Sequence, residues 1–322
     1  MRAWQVTELG EPDRVMRLAE EVAEPVARDG QVLVRVRAAA VNFPDALMVR
    51  GHYQVRPPLP FTPGVELCGE IADGPRRGER VLGTAAVPAG AFAEYALMDA
   101  AGAFPAPDAL DDAEAAALHI AYQTAWFGLH RRAALRPGET LLVHAAAGGV
   151  GSAAVQLGKA AGATVIGVVG GPEKAAVARG LGADLVIDRH GEDFVAAVRA
   201  ATGGRGADVV FDPVGGDAYT GSTKCIAFEG RILVVGFAGG TIPAPGLNHA
   251  LVKNYAILGL HWGLYNTHDP AAVAHCHREL TALAAKGVVK PLVSARHPMA
   301  GAASAVQAVA DGTTTGRLAI VP

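Results

Sequence analysis

Residues 141–188 read LLVHAAAGGVGSAAVQLGKAAGATVIGVVGGPEKAAVARGLGADLVID. An apolar run at 141–143 leads into a turn of small residues. A helical segment rich in alanine and glycine follows, and then a second β-rich run, TVIGVV, at 164–169. This strand–turn–helix–strand order has the length of a dinucleotide-binding unit. The turn Ala146-Ala147-Gly148-Gly149-Val150-Gly151 fits G-x-G-x-x-G with alanine in the first slot. Gly148 lets the backbone approach a pyrophosphate, and Gly151 lets the helix lie close on the sheet. The helix N-terminus offers free N–H groups and a positive partial charge to the phosphates. Similar turns occur in methyltransferases and as plain packing devices, so the flanking strands and their spacing carry the inference.

Working outward, the pattern of alternating strands and helices continues to residue 260. Helices are expected over 173–181 and 193–201, and strands over 185–187, 207–212, 231–237 and 256–260. Strands that alternate with helices predict a parallel, doubly wound sheet. Before residue 108 the chain is different. QVLVRVRA at 31–38 alternates apolar and polar residues, as a half-buried strand does, and 66–72, 80–84 and 92–97 are further strand candidates. Turn signals such as Asp29-Gly30, Pro57-Pro58 and Asp73-Gly74-Pro75 separate them. Many short strands imply a compact, barrel-like β domain. A helical stretch runs from about 108 to 134. Beyond 269, helices over 270–286 and 300–311 precede a last strand, 317–321, with no place in the nucleotide sheet. The tail is expected to return to the first domain.

The totals agree with a soluble globular protein. A length of 322 residues suggests about two domains, with 51% apolar and 18% charged residues. Lys and Arg number 28 against 31 Asp and Glu, a net charge of −3, so no basic field for nucleic acid is present. No apolar run is long enough for a membrane span. The first residues, MRAWQVTELGEPDR, lack the apolar core of a secretory signal. Cys68, Cys225 and Cys276 are too far apart for a disulfide framework or a four-cysteine zinc site. A cytoplasmic location is the expectation.

Six blocks in order carry a family resemblance: AAAVNFPDALMVRGHY (38–53), PFTPGVELCGEI (60–71), RPGETLLVHAAAGGVG (136–151), GRILVVGFAGG (230–240), LVKN (251–254) and TGRLAIVP (315–322). They cover nearly the whole chain, which resembles the zinc-independent medium-chain dehydrogenase/reductases, in particular the NADPH:quinone oxidoreductases of the zeta-crystallin type. The resemblance implies a GroES-like, mainly β catalytic domain (1–121 and 262–322), a Rossmann NADPH-binding domain (122–261), and a homodimer joined through the nucleotide domains.

Coenzyme choice is read at the end of the second strand, where NAD-binding folds carry an acid for the ribose 2′-hydroxyl. Here Val169 is followed by Gly170-Gly171-Pro172, so no carboxylate repels a 2′-phosphate. Lys174 lies one turn later. Arg189 follows the next strand, where the family usually has tyrosine. Lys174 is a candidate for the phosphate, and Arg189 for stacking on the adenine or binding the phosphate, against the alternative that both are solvated surface charges. Gly171 replaces the usual serine, which shifts one phosphate contact to backbone N–H. NADPH is the expected cofactor.

By the same block alignment, Asn42 stands where zinc-dependent relatives have cysteine and Val65 where they have histidine. Glu66 alone cannot hold a catalytic zinc, which needs three protein ligands. His275-Cys276-His277 sits on an expected helix, where successive side chains diverge by about 100°. Without a Lewis acid the sensible acceptor is an already electrophilic quinone or α,β-unsaturated carbonyl.

The resemblance implies further roles near the nicotinamide. Asn42 is a candidate for the ribose or the substrate oxygen, or for holding the turn before Pro44, and Asp45 is expected to fix local structure. Tyr53 is the candidate proton donor or oxyanion hydrogen-bonder, or simply lines the pocket. Thr124 is a candidate for the ribose or carboxamide. Gly236, Phe237 and Ala238 place backbone against the carboxamide, Leu260 and Trp262 close the other side, and Arg317 lies near the cofactor phosphate or on the surface. Two rival readings stand beside this one. The first is an enoyl-thioester reductase, favoured by a basic patch that would include Arg50 and Arg56. The second is an NADPH-binding protein without turnover. No tyrosine has a lysine four residues on, which disfavours a short-chain dehydrogenase.

Overall fold

The first thirty residues, where periodicity is weak, form a two-stranded ribbon: Ala3–Val6 (β1) pairs antiparallel with Met16–Ala19 (β2). This structure is a computed structural model that describes all 322 residues. The chain divides into two units, one of Met1–Ile120 with Val273–Pro322 and one of Ala121–Ala272. The nucleotide unit therefore extends past 261 to Ala272.

In the first unit the alternating run becomes Gln31–Ala40 (β3), followed by Glu66–Ile71 (β4), Arg80–Thr84 (β5), Tyr95–Asp99 (β6) and the short Phe104–Pro105 (β7). β3 is the hub, paired antiparallel with β4 along one edge and with β6 along the other. The expected strand at 92–97 is displaced to 95–99, and Phe92 instead sits buried in the core. That core gathers Phe61, Leu67, Ile71, Phe92, Met98 and Ile320.

The second unit holds six parallel strands: Thr140–His144 (β8), Thr164–Val169 (β9), Leu185–Asp188 (β10), Ala207–Asp212 (β11), Ile226–Val234 (β12) and Ala256–Gly259 (β13). Their order is β10-β9-β8-β11-β12-β13, the doubly wound Rossmann arrangement. β8 is buried at every position, as a strand covered on both faces must be. Leu142, Ile166, Val210 and Ile232 meet in the core beneath it. Asp193 caps the Phe194–Ala201 helix by accepting from Val195 N–H at 2.9 Å. The helical stretch before β8 is three pieces, Asp112–Ala116, His119–Trp126 and a π-helical Phe127–Arg132.

Two strands close the chain. Val293–Pro298 (β14), which the sequence does not announce, pairs parallel with Arg317–Val321 (β15), and β15 pairs antiparallel with β3. The tail thus belongs to the β-rich unit, which is GroES-like; the other is a Rossmann domain.

Candidate functional site

In the parallel sheet the strand order reverses between β8 and β11, and ligands of such folds bind beyond the carboxyl ends of the strands at that point. At the end of β8 the chain turns through Ala145, whose φ of 49° is left-handed. That conformation costs an alanine about 1–2 kcal/mol. Gly148 N–H closes the turn onto the Ala145 carbonyl at 2.8 Å. A Cβ on Gly151 would run into that same carbonyl and come within 3.0 Å of Ala146 Cα, so only glycine fits. Part of the packing role expected of Gly151 falls to Gly158, where a Cβ would meet Leu141 Cδ2 at 2.5 Å. The Gly149–Ala160 helix starts at this turn. The N–H groups of Gly149, Val150 and Gly151 lie in its first turn, where helical amides lack an intrahelical acceptor. Free amides in such a first turn can receive a pyrophosphate.

The ends of β9 and β10 carry the adenosine-side candidates. Arg189 is exposed and Lys174 half-buried, on the Pro172–Gly180 helix. Gly171 has φ 95°, which favours glycine. Its N–H, expected to serve a phosphate, instead donates to Asp188 Oδ1 at 2.8 Å, because that carboxylate folds back over its own loop. The same oxygen accepts from His190 N–H at 3.1 Å, and these backbone bonds hold the Asp188 carboxyl below the usual carboxylate range.

At the end of β11, buried Asp212 accepts through Oδ1 from Val214 N–H at 2.8 Å and Gly215 N–H at 3.0 Å. The loop so fixed holds the segment after β12. Gly236 N–H donates to the Asp212 carbonyl at 3.4 Å, Ala238 N–H to Pro213 at 3.0 Å and Gly239 N–H to Val214 at 2.9 Å. Gly236 and Ala238 therefore spend their N–H groups within the protein, and Phe237 N–H is the amide of this run left outside that ladder. Beneath the switch point, His144 Nε2 lies 2.8 Å from Ser222 Oγ, and burial lowers its pKa to about 4 against the pull of Asp212.

Thr124, Leu260 and Trp262 are buried in the same unit. Trp262 Nε1–H donates to Gln123 Oε1 at 3.2 Å, and Leu260 covers Gly128, whose Cβ would stand 3.2 Å from Leu260 Cδ2. The side chains of Leu260 and Trp262 are thus committed to packing.

The β-rich unit brings Asn42, Glu66 and Arg317 together although they are far apart in sequence. Arg317 is only 4% exposed, which overturns a surface position. Its Nη1 donates to Asn42 Oδ1 at 2.9 Å and its Nη2 to Glu66 Oε2 at 2.5 Å, so its charge is spent on a buried carboxylate rather than held out for a phosphate. Its Nε is buried without a partner. Asn42 Nδ2 gives its two hydrogens to Ala40 O at 3.0 Å and Glu66 Oε2 at 2.9 Å, which removes it as a donor to a substrate oxygen. Its Oδ1 keeps one lone pair. Glu66 Oε1 accepts from Ile120 N–H at 2.6 Å, fixing the first turn of the His119–Trp126 helix. Burial pushes the Glu66 carboxyl up, against the pull of Arg317, Asn42 and Ile120.

Asp45, fully buried, accepts N–H from Asn42 at 2.8 Å, Val65 at 3.0 Å and Gly64 at 3.1 Å, a structural knot between two turns. Burial raises it to about 7, opposed by those amides and by Arg317. Tyr53 is half-buried, and burial followed by the Asp45 charge raises its phenol, away from a proton donor's range. Arg50 is tied to Glu11, with Nη2 2.6 Å from Oε2, so it does not stand free beside exposed Arg56. In the Pro270–Ala285 helix His275 is exposed while Cys276 and His277 are buried, and His277 Nε2 lies 3.0 Å from Pro105 O. No three His, Cys, Asp or Glu side chains converge anywhere as a metal site. No helix is long and apolar enough to cross a membrane.

Sequence reasoning passed over Asp212, His144 and His190. Asp212 had a signal, a carboxylate directly before Pro-Val-Gly-Gly at the end of a strand.

Comparison with known proteins adds the following. Residues 28–108 match the alcohol dehydrogenase GroES-like domain family, and residues 149–277 the zinc-binding dehydrogenase family. The quinone oxidoreductase-like protein 2 homolog of Nematostella vectensis is 36% identical over 99% of this chain and 88% of its own length. A probable oxidoreductase from Mycobacterium abscessus superposes with a TM-score of 0.90 at 37% identity, covering 100% of this chain and 99% of that one. Escherichia coli quinone oxidoreductase complexed with NADPH gives a TM-score of 0.92 at 29% identity, with both chains fully covered at 100%.

The zinc that one matched family name implies does not fit the residues around Glu66. The Val65 side chain has no donor atom, the Asn42 oxygen already accepts from the Arg317 guanidinium, and both Glu66 oxygens are engaged, one by that same cation, which would repel a dication. A dinucleotide does fit, since the glycine cradle at 148–151 leaves the first-turn amides uncovered by any side chain of the turn.

Proposed function

Because the chain belongs to the medium-chain dehydrogenase/reductase family, among its quinone oxidoreductases, we propose that it is an NADPH-dependent oxidoreductase acting on a quinone or an α,β-unsaturated carbonyl, without zinc. The observation that carries the zinc-free part is the Arg317–Glu66 contact at 2.5 Å: a fixed organic cation stands beside the carboxylate a metal would need. An unactivated alcohol has nothing here to stabilise its alkoxide, whereas an electrophilic acceptor needs only placement and a hydrogen bond.

NADPH, when bound, supplies the hydride. The first-turn amides of Gly149, Val150 and Gly151 hold the pyrophosphate, and Lys174, Arg189 and the space at Gly170 serve the 2′-phosphate. Phe237 N–H takes the carboxamide oxygen, the Asn42 Oδ1 lone pair accepts from a ribose hydroxyl, and Thr124 lines the ring. Tyr53, its proton held more firmly than in water, polarises the acceptor oxygen as a neutral donor instead of releasing a proton. The final proton then comes from water.

A second copy of the chain completes the assembly. β13 ends the parallel sheet and leaves an unpaired edge, and the Leu247–Lys253 helix that precedes it in the chain exposes Leu247, Leu251 and Val252. Apolar side chains beside an open strand edge mark a pairing surface. Loss of NADPH absorbance against a panel of quinones and enones tests the activity; turnover of neither class would overturn it.

A further inference from the structure

Gly170 and Gly171 follow β9, and Arg189 and His190 follow β10, its neighbour in the sheet. Gly171 is explained by its left-handed φ, but Gly170 is not, since its backbone lies outside that region. What Gly170 provides is space for side chains. A Cβ there would stand 3.0 Å from His190 Nε2 and 3.2 Å from both Nε and Nη2 of Arg189. An imidazole and a guanidinium are therefore laid over one strand end.

The backbone beneath them is locked. Arg189 N–H donates to Val169 O at 3.0 Å, and Asp188 Oδ1 ties Gly171 to His190. The Asp188 carboxylate does not consume the imidazole, its Oδ1 being 3.9 Å from His190 Nδ1, beyond hydrogen-bond reach, and the Glu192 carboxylate in the same turn accepts from Asp188 N–H at 2.9 Å. Arg189 and His190 both stay exposed. Two nitrogen-bearing planar groups over a glycine, next to the strand end that carries no acid, suit an anion with several oxygens.

We propose that His190 is a further determinant of coenzyme choice: with Arg189, and over Gly170, it contacts the phosphomonoester on the adenosine ribose and so selects the 2′-phosphorylated dinucleotide. The proposal rests on the NADPH reading above and adds a residue to it. It also gives Gly170 a reason that backbone geometry does not.

Calorimetric titration with 2′,5′-ADP and with 5′-AMP tests it on the intact chain, because the two ligands differ only by the 2′-phosphate. Wild type binds the bisphosphate more tightly. His190→Ala lowers that affinity ratio about tenfold, the loss expected for one hydrogen bond to a charged group. Gly170→Ala keeps both nitrogenous side chains but displaces them, and it lowers the ratio in the same direction. Retention of the wild-type ratio by His190→Ala overturns the proposal while leaving the NADPH reading intact. A wild type that binds both ligands equally overturns the two together.

Discussion

Lowering the pH from 8 to 5 challenges His119. This side chain is 2% exposed and sits at the start of a helix in the β-rich unit, 5.6 Å from the Phe104 ring, which also stacks on His277 at 4.8 Å. Burial, with a smaller contribution from His277, pushes its pKa down to about 3. In the unfolded chain an imidazole titrates near 6.5. Between these two values the unfolded state binds the proton and the folded state refuses it, so stability is full above pH 6.5 and is lost as the pH falls toward 3. At pH 5 the unfolded state has descended about 1.5 pH units below its own pKa, which at 1.36 kcal/mol per unit is a loss of about 2 kcal/mol relative to pH 8. Other groups titrate in the same window, and Asp45, raised to about 7, works in the opposite sense. The measurement must therefore be a difference. Urea unfolding of wild type and His119→Gln at both pH values gives it: the pH 8 minus pH 5 stability change should be about 2 kcal/mol smaller in the variant. An identical change in both proteins would refute the inference that His119 is buried neutral.

Three further outcomes are expected. Arg317→Met leaves the Glu66 carboxylate buried without its cation and should destabilise by about 3–5 kcal/mol, whereas the double variant Arg317→Met/Glu66→Leu should recover much of that loss, as read by denaturant unfolding. Gly151→Ala drives a Cβ into the Ala145 carbonyl, so the turn must open; NADPH titration should show at least a tenfold weaker Kd. Leu251→Glu with Val252→Lys places charges on the exposed apolar side near β13, and sedimentation should then report a smaller species than wild type; an unchanged species would remove that edge as the dimer surface.

The parts of this molecule that were legible in sequence are those whose cause is local. The turn at 146–151 announces itself because small residues are required at fixed spacing, and the missing acid after Val169 is a single-position fact. β5, β9, β11 and β15 keep their expected bounds because apolar runs flanked by turn residues leave little choice. β14 stayed hidden because its inward positions, Val293, Ala295 and His297, are only half-buried and make too weak an apolar face to stand out, although burial alternates along the strand. The Asn42–Glu66–Arg317 network was illegible for a different reason: a separation of 251 residues between Glu66 and Arg317 leaves no periodic trace, so Arg317 read equally well as a surface residue or a phosphate ligand. Asn42 read as a contact of the ribose or the substrate oxygen, or as a residue holding the turn before Pro44, but it is buried and its amide hydrogens are consumed by Ala40 and Glu66. Hydrogen-bond saturation of that kind is a property of three-dimensional neighbours. The same holds for Gly171, whose N–H is claimed by Asp188 across the sheet edge.

The central claim is that this chain moves a hydride from NADPH to an activated acceptor with no zinc at Glu66. The most direct test is kcat/KM for NADPH and for NADH with a quinone acceptor, measured on chelator-treated protein whose metal content has been determined. Turnover that persists at zinc contents far below one ion per chain, with NADPH clearly preferred, is the predicted result. Activity that disappears with the metal and returns with added zinc, or equal use of NADH, would contradict it.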